Sequence, residues 1–393
     1  MMDIVQLRSA AAPSPLAHYS QGVRVDGFVF PAGQIASDYR TGVPPEAGAD
    51  PASQAAYVLK NLAAVLAEAG CGLEHVVKAQ VFLRDLAHFQ AFDAAWKEFF
   101  PSPPPRTAVQ VGPQGLLVPG CELEIDLVVA HPERRDRRFL FPAGQIAGDN
   151  RTGVPPEARS HPAFPYYSSN IERQTSYVLN NLESVLRQGG ADLGRVVKGQ
   201  VFLTDLTEFD GFFQVWSERL PHLPPLTVIP VSGLRVAGCR IEIDLIALAP
   251  GDSVNPRRIG AADLPEPFPQ GNVAVIAEPL VFASGQLAAD FEDGLPREAR
   301  VNPNSPFLGT DIARQTEVVL TNLSRLLEQA GTSLDRVVKT QVFLTDLNLF
   351  YEFDKVWKRF FPLPPPRTTV QIGGPTLLLP GCLVQVDAVA AVK

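Results

Sequence analysis

An arginine and a glutamate in the first third of the chain have the chemistry and the spacing to act together. Arg106 lies in "PPPRT" and Glu124 in "LEIDLVV", and the point midway between them is Gly115 in "GPQG". A turn there would form a hairpin that places both side chains almost opposite each other, on one face of neighbouring antiparallel strands. A guanidinium binds a carboxylate through two parallel hydrogen bonds, and a glutamate beside it can position water and shuttle protons. The pattern predicts a site for a small carboxylate-bearing molecule.

The same stretch occurs twice more, with changes at these two positions. The arginine position holds Leu226 and then Arg367, and the glutamate position holds Glu242 and then Gln385. The alternative to a site is a structural cross-strand ion pair. A polar pair on apolar strands is costly to bury, and this pair varies while the neighbouring "VVKxQVFL" strand does not, so we favour a site. Because only the first copy keeps both residues, we expect it to be the active copy.

The remaining reactive side chains indicate structure rather than chemistry. The 4 cysteines and 6 histidines form no CxxC pair and no cluster at metal spacing, so we expect no metal site and no disulfide framework. An aspartate recurs two residues after the glutamate position in every copy. That symmetry favours a structural role, such as pairing with the repeated lysine, over a repeated acid or base. The residues concerned are Asp126, Asp244, Asp387, Lys78, Lys198 and Lys339. A tryptophan that recurs in one helix of every copy is expected in the core.

Composition places the chain among ordinary globular proteins. Hydrophobic residues make up 46% of the 393 residues and charged residues 19%, which is outside the range of disordered proteins. A net charge of −8 argues against a nucleic-acid partner, because phosphate binding requires a dense positive face. No apolar run approaches the roughly 20 residues that cross a bilayer, and the N-terminal stretch lacks the apolar core of a signal peptide. We therefore expect a cytoplasmic protein with no membrane partner.

Three copies of one unit account for nearly the whole chain. The stretch "VVKAQVFLRDL" recurs as "VVKGQVFLTDL" and "VVKTQVFLTDL", with lysines 120 and 141 residues apart. A repeat of this length is a full domain and is far too long for a solenoid unit. We place the domains at residues 1–130, 131–250 (with a shortened N-terminal hairpin) and 251–393. The second and third copies also carry extra segments, "SHPAFPYYSSN" and "VNPNSPFLGT", which are either lids or surface padding.

Within a unit the elements are predicted in the order β-β-α-β-α-β-β, an α+β fold with the helices on one face of a mixed sheet. "GVRVDGFVFPAGQIA" predicts a hairpin, Asp50 and Pro51 begin a helix, and "VVKAQVFL" is a strand rich in β-branched residues. Such a sheet leaves its second face bare. We therefore expect the units to pack their sheets around a common axis, as a pseudo-trimer with a central sheet barrel. The sequence leaves open whether the fused chain associates further.

In order along each unit, "AGQIA", "NL", "VVKAQVFLRDL", "PPPRT" and "LEIDLVVA" resemble the reactive-intermediate deaminase family, also called RidA or YjgF. The resemblance covers nearly the whole chain three times over. It implies a chorismate-mutase-like fold and a trimer with clefts between its units. In those clefts, the resemblance implies, enamines and imines derived from amino acids are hydrolysed to ammonia and a 2-keto acid without a metal or a cofactor.

The resemblance also implies individual site residues, and each copy departs from the family pattern somewhere. A tyrosine corresponds to Tyr19 and is replaced by Phe268 in the third copy, and a serine before the "GQ" pair corresponds to Ser284 alone. The implied catalytic residues are Glu124 and Arg106. The implied substrate-binding residues are Arg106, Tyr19, Gly33, Arg367, Ser284, Gln385 and Glu242.

Three functions are compatible with these patterns. The first, which we expect, is a cofactor-free hydrolytic deaminase for a small carboxylate-bearing imine, enamine or related unsaturated amine, centred on Arg106 and Glu124. The second is a pathway-specific hydrolase or isomerase that uses the altered third site of Arg367, Gln385 and Ser284. The third is a metabolite-binding or scaffold protein without catalysis. In each case the expected partner is a small molecule, with no nucleic acid involved.

Overall fold

The computed structural model describes residues 2–112, 114–133, 138–149, 151–251, 256–260, 264, 271–289 and 292–393. Within them, three α+β units follow one another, each with two helices packed on a sheet. The segments proposed as domain boundaries fall partly outside the described residues.

The first unit begins with antiparallel strands and ends with a long strand. Its elements are β1 Val5–Leu7, β2 Gly22–Val25, β3 Phe28–Pro31, β4 Gln34–Ile35, α1 Pro51–Ala67, β5 Val76–Leu83, α2 Phe89–Phe99, β6 Arg106–Gln110 and β7 Leu123–Ala130. The predicted hairpin is the β2–β3 pair. The predicted helix start is also confirmed, because the Asp50 side chain accepts hydrogen bonds from the backbone N–H groups of Ala52 and Ser53.

The second unit follows the same order with one exception: no counterpart of the β2–β3 hairpin occurs in its described part. Its elements are β8 Phe139–Leu140, β9 Gln145–Ile146, α3 Asn170–Gln188, β10 Val196–Leu203, α4 Phe209–Arg219, β11 Leu226–Pro230, β12 Gly233–Leu234 and β13 Ile241–Leu248. Helix α3 begins at a capping box, in which Ser169 and Glu172 bind each other's backbone N–H groups.

The third unit has the hairpin again, as β15 and β16. Its elements are β14 Arg257–Ile259, β15 Ala274–Ala277, β16 Leu280–Ala283, β17 Gln286–Leu287, α5 Asp311–Gln329, β18 Val337–Leu344, α6 Phe350–Phe360, β19 Arg367–Gln371 and β20 Val384–Ala391. Short 3-10 turns link the elements at Pro45–Ala47, Leu73–His75, Leu86–His88, Pro156–Ala158, Leu193–Arg195, Leu206–Glu208, Arg297–Ala299, Leu334–Arg336 and Leu347–Leu349.

The strand that the chain repeats three times lies in the middle of each sheet. β5 pairs in parallel with β6 on one edge and antiparallel with β7 on the other. β10 and β18 are placed in the same way. The hydrogen-bonded strands that the structure describes form three open sheets, and no closed barrel is seen among them.

Apolar and polar contacts join the three units at their centre. Phe139 of the second unit packs between Phe28 of the first, at 5.8 Å between ring centres, and Phe282 of the third, at 5.6 Å. The repeated tryptophans are buried, as predicted: Trp96, Trp216 and Trp357 are at most 1% exposed.

A closed ring of buried glutamines runs through the three central strands. Gln80 donates to Gln200 at 2.6 Å, Gln200 to Gln341 at 2.7 Å, and Gln341 to Gln80 at 2.6 Å. Each repeated lysine forms a buried ion pair with the repeated aspartate of another unit. The pairs are Lys78–Asp244, Lys198–Asp387 and Lys339–Asp126. The aspartates therefore have the structural partners that the sequence predicted.

Candidate functional site

The arginine and the glutamate of the first unit do not form one site. β6 and β7 lie on opposite edges of β5, with Arg106 opposite Ala79 and Glu124 opposite Phe82. Arg106 lines one cleft and Glu124 lines another, and neither residue lines the cleft of the other. The hairpin predicted around Gly115 was therefore wrong.

The physical reason is that the connection between β6 and β7 crosses to another unit. The Gly112 N–H donates to the Gln371 carbonyl at 3.1 Å, and the Gln371 N–H donates to the Gly115 carbonyl at 3.1 Å. β12 of the second unit pairs with β6 in the same manner. The unpaired backbone N–H and C=O groups of an edge strand readily form hydrogen bonds with a segment of another unit. As a result, each arginine position faces the glutamate position of a neighbouring unit.

The first cleft lies between the first and third units and has a volume of about 170 Å³. Tyr19, Gly33 and Glu124 line it from the first unit, and Phe350 and Arg367 line it from the third. Four of the residues that the sequence predicted for a site thus come together here, although from two different units. The pairing of Arg367 with Glu124 was not expected.

Tyr19 is held in this cleft because the chain on either side of it is tied to the third unit. The His18 ring Nε2 lies 2.6 Å from the Phe361 carbonyl oxygen. The Ser20 N–H donates to the Pro365 carbonyl at 3.3 Å. These contacts place the tyrosine ring against the arginine, with 5.7 Å from the Arg367 Cζ to the ring centre.

Arg367 is buried and only partly satisfied. Its Nη2 donates to Asp354 Oδ1 at 2.9 Å, and its Cζ lies 5.2 Å from the Phe350 ring centre and 5.0 Å from that of Trp357. Its Nη1 is buried without a hydrogen-bond partner among the described residues. Because an unpaired buried donor is costly, this nitrogen is suited to bind an anionic ligand.

Glu124 is 4% exposed, and burial raises its pKa to about 8, with Asp126 acting in the same direction. A backbone hydrogen bond from Thr369 and the charge of Arg367 oppose this rise. The carboxyl is therefore mostly protonated at neutral pH. Gly33 is required beside it, because a side chain at that position would collide with the carboxylate.

One further side chain, Tyr39, completes the lining of the first cleft. The Tyr39 hydroxyl is hydrogen-bonded to Tyr19, and burial raises the pKa of Tyr19 to about 12, so that both hydroxyls stay protonated at neutral pH. Sequence reasoning missed Tyr39, although its loop "DYRTGVPPEA" recurs as "DNRTGVPPEA" in the second unit, because the tyrosine itself is not repeated there. It also missed Asp354, the partner of the arginine.

The second cleft lies between the first and second units and is larger, at about 470 Å³. Arg106 and Phe89 line it from the first unit, and Gly144, Arg235 and Glu242 from the second. Burial raises the pKa of Glu242 to about 8, as it does for Glu124. A side chain at Gly144 would collide with this glutamate, as one at Gly33 would with Glu124.

Arg106 has nearly the same surroundings as Arg367. Its Nη2 donates to Asp93 Oδ1 at 2.6 Å, and its Cζ lies 4.9 Å from the Trp96 ring centre and 5.3 Å from that of Phe89. Its Nη1 is also buried without a partner in the described part of the chain. Burial lowers the pKa of its guanidinium.

The equivalent position between the second and third units is an apolar junction. Leu226 and Gln385 take the places of the arginine and the glutamate, and the Gly285 N–H donates directly to the Leu226 carbonyl at 3.1 Å. Ser284 is fully buried, and its hydroxyl accepts a hydrogen bond from Gln286 at 2.9 Å. The altered third site proposed from the sequence is therefore not assembled, because Arg367 lies in the first cleft.

A signal for the missed aspartates exists within the sequence itself. Asp93 and Asp354 each lie three residues before the repeated tryptophan, and each pairs with an arginine. The same position in the second unit is Phe213, in the unit whose arginine position is Leu226. The second unit therefore lacks both the aspartate and the arginine, which indicates that these two residues act as an ion pair.

Several predictions concern features away from the clefts. Among the described residues, no helix is long and apolar enough to cross a membrane, and no group of three or more His, Cys, Asp and Glu side chains is placed to hold a metal ion. Phe268 lies outside the described residues. The extra segments of the second and third units line neither cleft, and Tyr166 and Phe307 within them are 98% and 95% exposed.

Comparison with known proteins agrees with the repeat structure. A "RutC family protein" of Synechocystis is 43% identical over 135 residues, which is 33% of this chain and 98% of the relative. The human protein named "2-iminobutanoate/2-iminopropanoate deaminase" is 36% identical over 123 residues, 31% of this chain and 86% of the relative. The crystal structure of RidA from an Antarctic Psychrobacter is 32% identical, covers 32% of this chain and 98% of its own, and has a TM-score of 0.29.

The family described as "Endoribonuclease L-PSP" matches the chain three times in succession, at residues 9–131, 134–249 and 264–392. These matches account for most of the 393 residues and confirm the resemblance found in the sequence. The chain therefore belongs to this family, which includes the RidA and RutC proteins, and carries three copies of its domain in one polypeptide.

Proposed function

We propose that the protein is a cofactor-free hydrolytic deaminase that acts on a small carboxylate-bearing imine or enamine in the first cleft. The observation that carries the proposal is the unpartnered, buried Nη1 of Arg367 in the same cleft as Glu124, a carboxyl with a pKa of about 8. The name of the human relative supports this class of substrate.

We also infer that the domains, at residues 1–130, 131–250 and 251–393, form a pseudo-trimer with their sheets arranged around the glutamine ring. The cyclic order of the contacts supports this inference: the first unit contacts the second, the second the third, and the third the first, through Gln80, Gln200 and Gln341. A covalent link between units makes such assembly intramolecular. It also leaves each cleft free to change separately.

In the proposed complex, Arg367 binds the substrate carboxylate. Nη2 is already held by Asp354, so the guanidinium plane is fixed and Nη1 is available to the ligand. Phe350, Ile35 and Val118 line the same cleft and suit a short apolar side chain. The protonated Tyr19 hydroxyl can donate a second hydrogen bond to the substrate.

Glu124 then moves the protons. As a neutral acid it protonates the β-carbon of the enamine, which gives an iminium and leaves Glu124 as a carboxylate. The carboxylate removes a proton from water as the water oxygen bonds to the iminium carbon. Glu124 next protonates the nitrogen of the carbinolamine, ammonia leaves, and the remaining hydroxyl returns its proton to Glu124. One water is consumed, and the products are ammonia and a 2-keto acid.

The test is ammonia release from freshly generated 2-iminobutyrate. The protein is expected to accelerate the release over spontaneous hydrolysis, and Arg367→Ala is expected to lower kcat/KM by about 10- to 100-fold, because the charge-assisted contact between Nη1 and the substrate carboxylate is lost. Arg359→Ala is the matched control, since Arg359 is an exposed arginine on the neighbouring helix α6. Full activity of Arg367→Ala would overturn the assignment of the cleft. Carboxylate binding without turnover would support the metabolite-binding alternative instead.

Two further expectations stay predictions. The net charge of −8 disfavours the ribonuclease activity that the family description names, because RNA binding requires a positive face. A cytoplasmic location also stays a prediction.

A further inference from the structure

The second cleft contains a positive charge that the first cleft lacks. Arg235 lies four residues before the repeated cysteine, and the same position holds Leu117 in the first unit and Leu378 in the third. Leu117 lines the first cleft and Arg235 lines the second. One apolar wall residue has therefore been replaced by a cation in one cleft only.

Arg235 and Arg106 share one aromatic wall. The Cζ of Arg106 lies 5.3 Å from the Phe89 ring centre and the Cζ of Arg235 lies 5.2 Å from it. Two guanidinium groups on one ring repel each other, which contributes to the lowered pKa of Arg106. Bringing like charges together in this way is unfavourable unless a ligand carries the opposite charge.

The cleft does not neutralise this charge with its own acids. Asp93 already holds Nη2 of Arg106 at 2.6 Å and Lys97 at 2.7 Å. Arg235 forms no ion pair among the residues that the structure describes, and Nη1 of Arg106 is buried without a partner there. Glu242 is the remaining acid of the cleft. Burial raises its pKa to about 8 and outweighs the charge of Arg235, which lowers the pKa, so that the carboxyl is mostly uncharged at neutral pH.

The two clefts also differ in size. The second cleft encloses about 470 Å³ and the first about 170 Å³. The difference has a structural reason, because the segment around Tyr19 that closes the first cleft has no counterpart in the described part of the second unit. The second cleft therefore has room for a longer ligand.

From this geometry we infer that the second cleft binds a small dicarboxylate, with one carboxylate on Arg106 and the other on Arg235, whereas the first cleft takes a monocarboxylate with an apolar side chain. The inference goes beyond the proposed deamination, because it concerns equilibrium binding at a different cleft and requires no turnover. Failure of one proposal leaves the other standing.

The test is isothermal titration calorimetry of the full chain with two stable probes, 2-oxoglutarate and 2-oxobutyrate, at fixed low salt. At the second cleft 2-oxoglutarate is expected to bind with one site per chain and at least about tenfold more tightly than 2-oxobutyrate, since one charge-assisted contact is added. Arg235→Leu, which installs the residue of the first unit, is expected to remove that preference and to leave 2-oxobutyrate affinity unchanged. Arg106→Gln is expected to abolish binding of both probes at this cleft.

Two controls keep the test decisive. Arg240→Leu removes an arginine that pairs with Glu208 and does not line the cleft, so it is expected to leave 2-oxoglutarate binding unchanged. Arg367→Gln is also expected to leave it unchanged. Equal weakening of both probes by Arg235→Leu, loss of 2-oxoglutarate binding in Arg367→Gln, or no preference for the dicarboxylate in Arg367→Gln, whose first cleft no longer binds 2-oxobutyrate, would each overturn the inference. Because Arg235 is exposed, its replacement is not expected to prevent folding.

Discussion

The first cleft and the apolar junction occupy equivalent positions between units, and they have opposite chemistry. The first cleft keeps an arginine with its aspartate, Arg367 and Asp354, and a glutamate from the next unit, Glu124. The junction has leucine, phenylalanine and glutamine in those three places, while the glutamine ring and the lysine–aspartate pairs around it are complete. The residues that hold the units together are therefore present at both places, whereas the residues suited to bind a ligand are present only in the first cleft.

The junction lacks all three ionisable groups, although their positions belong to two different units. An isolated buried guanidinium or carboxylate is costly, so removal of one member makes the others unfavourable. Phe213 and Leu226 form a consistent apolar replacement for an aspartate and an arginine. The three side chains therefore behave as one functional set, which supports their joint role in the two clefts that keep them.

The largest expected effect comes from returning a charge to the junction. Leu226→Arg places a guanidinium in a site that is 3% exposed and that has Phe213 in place of the partner aspartate, and it is expected to lower the free energy of unfolding by about 3–5 kcal/mol. Adding Phe213→Asp restores the partner seen in the other two clefts and is expected to recover a substantial part of the loss. Urea unfolding of the full chain measures both variants.

The mirrored change in the first cleft provides the control for this prediction. Asp354→Phe alone leaves Arg367 unpaired and is expected to be costly, whereas Asp354→Phe combined with Arg367→Leu reproduces the junction and is expected to be far milder. Additive effects in both pairs would contradict the view that the acid and the base were lost as one set.

The next effect is on catalysis. Glu124→Gln keeps the shape of the side chain but cannot carry a proton, so it is expected to lower kcat for 2-iminobutyrate by about 100-fold or more, with little change in KM. In the unaltered protein, kcat/KM is expected to fall above about pH 8, as Glu124 ionises. Steady-state rates of ammonia release between pH 6 and 9.5 measure both.

Gln385→Glu is the matched comparison for this variant. It restores the glutamate at the junction, where no arginine is present, and is expected to add no activity. An unchanged pH profile in Glu124→Gln would exclude Glu124 as the proton carrier.

The fold was largely predictable from the sequence, but the pairing of site residues was not. The repeats, the helix starts at Asp50 and Pro51, and the central strands follow from local patterns of capping and β-branched residues. The hairpin predicted around Gly115 rested on the same local reasoning and was wrong, because the backbone partner of Gly115 is Gln371 in another unit. A contact between residues more than 250 positions apart has no local signature. The one usable signal was the joint loss of Asp and Arg in the second unit, which requires comparison of the repeats with each other.

The smallest expected effect, counted per pH unit, is on stability as a function of pH, and it follows from the same comparison. Folding raises the pKa of Glu124 and Glu242 from an ordinary value of 4.5 to about 8. Between these values the folded chain holds protons that the unfolded chain has released, so the free energy of unfolding falls as the pH rises. The slope is at most about 1.4 kcal/mol per pH unit for each carboxyl. Gln385 at the junction already lacks such a group and contributes nothing to the slope. Urea unfolding at pH 5.5, 6.5 and 7.5 is therefore expected to show a shallower decline in Glu124→Gln and in Glu242→Gln, and the shallowest in the double variant. The same slope in all four proteins would mean that neither carboxyl is protonated in the folded chain, and Glu124 could not then begin the reaction as an acid.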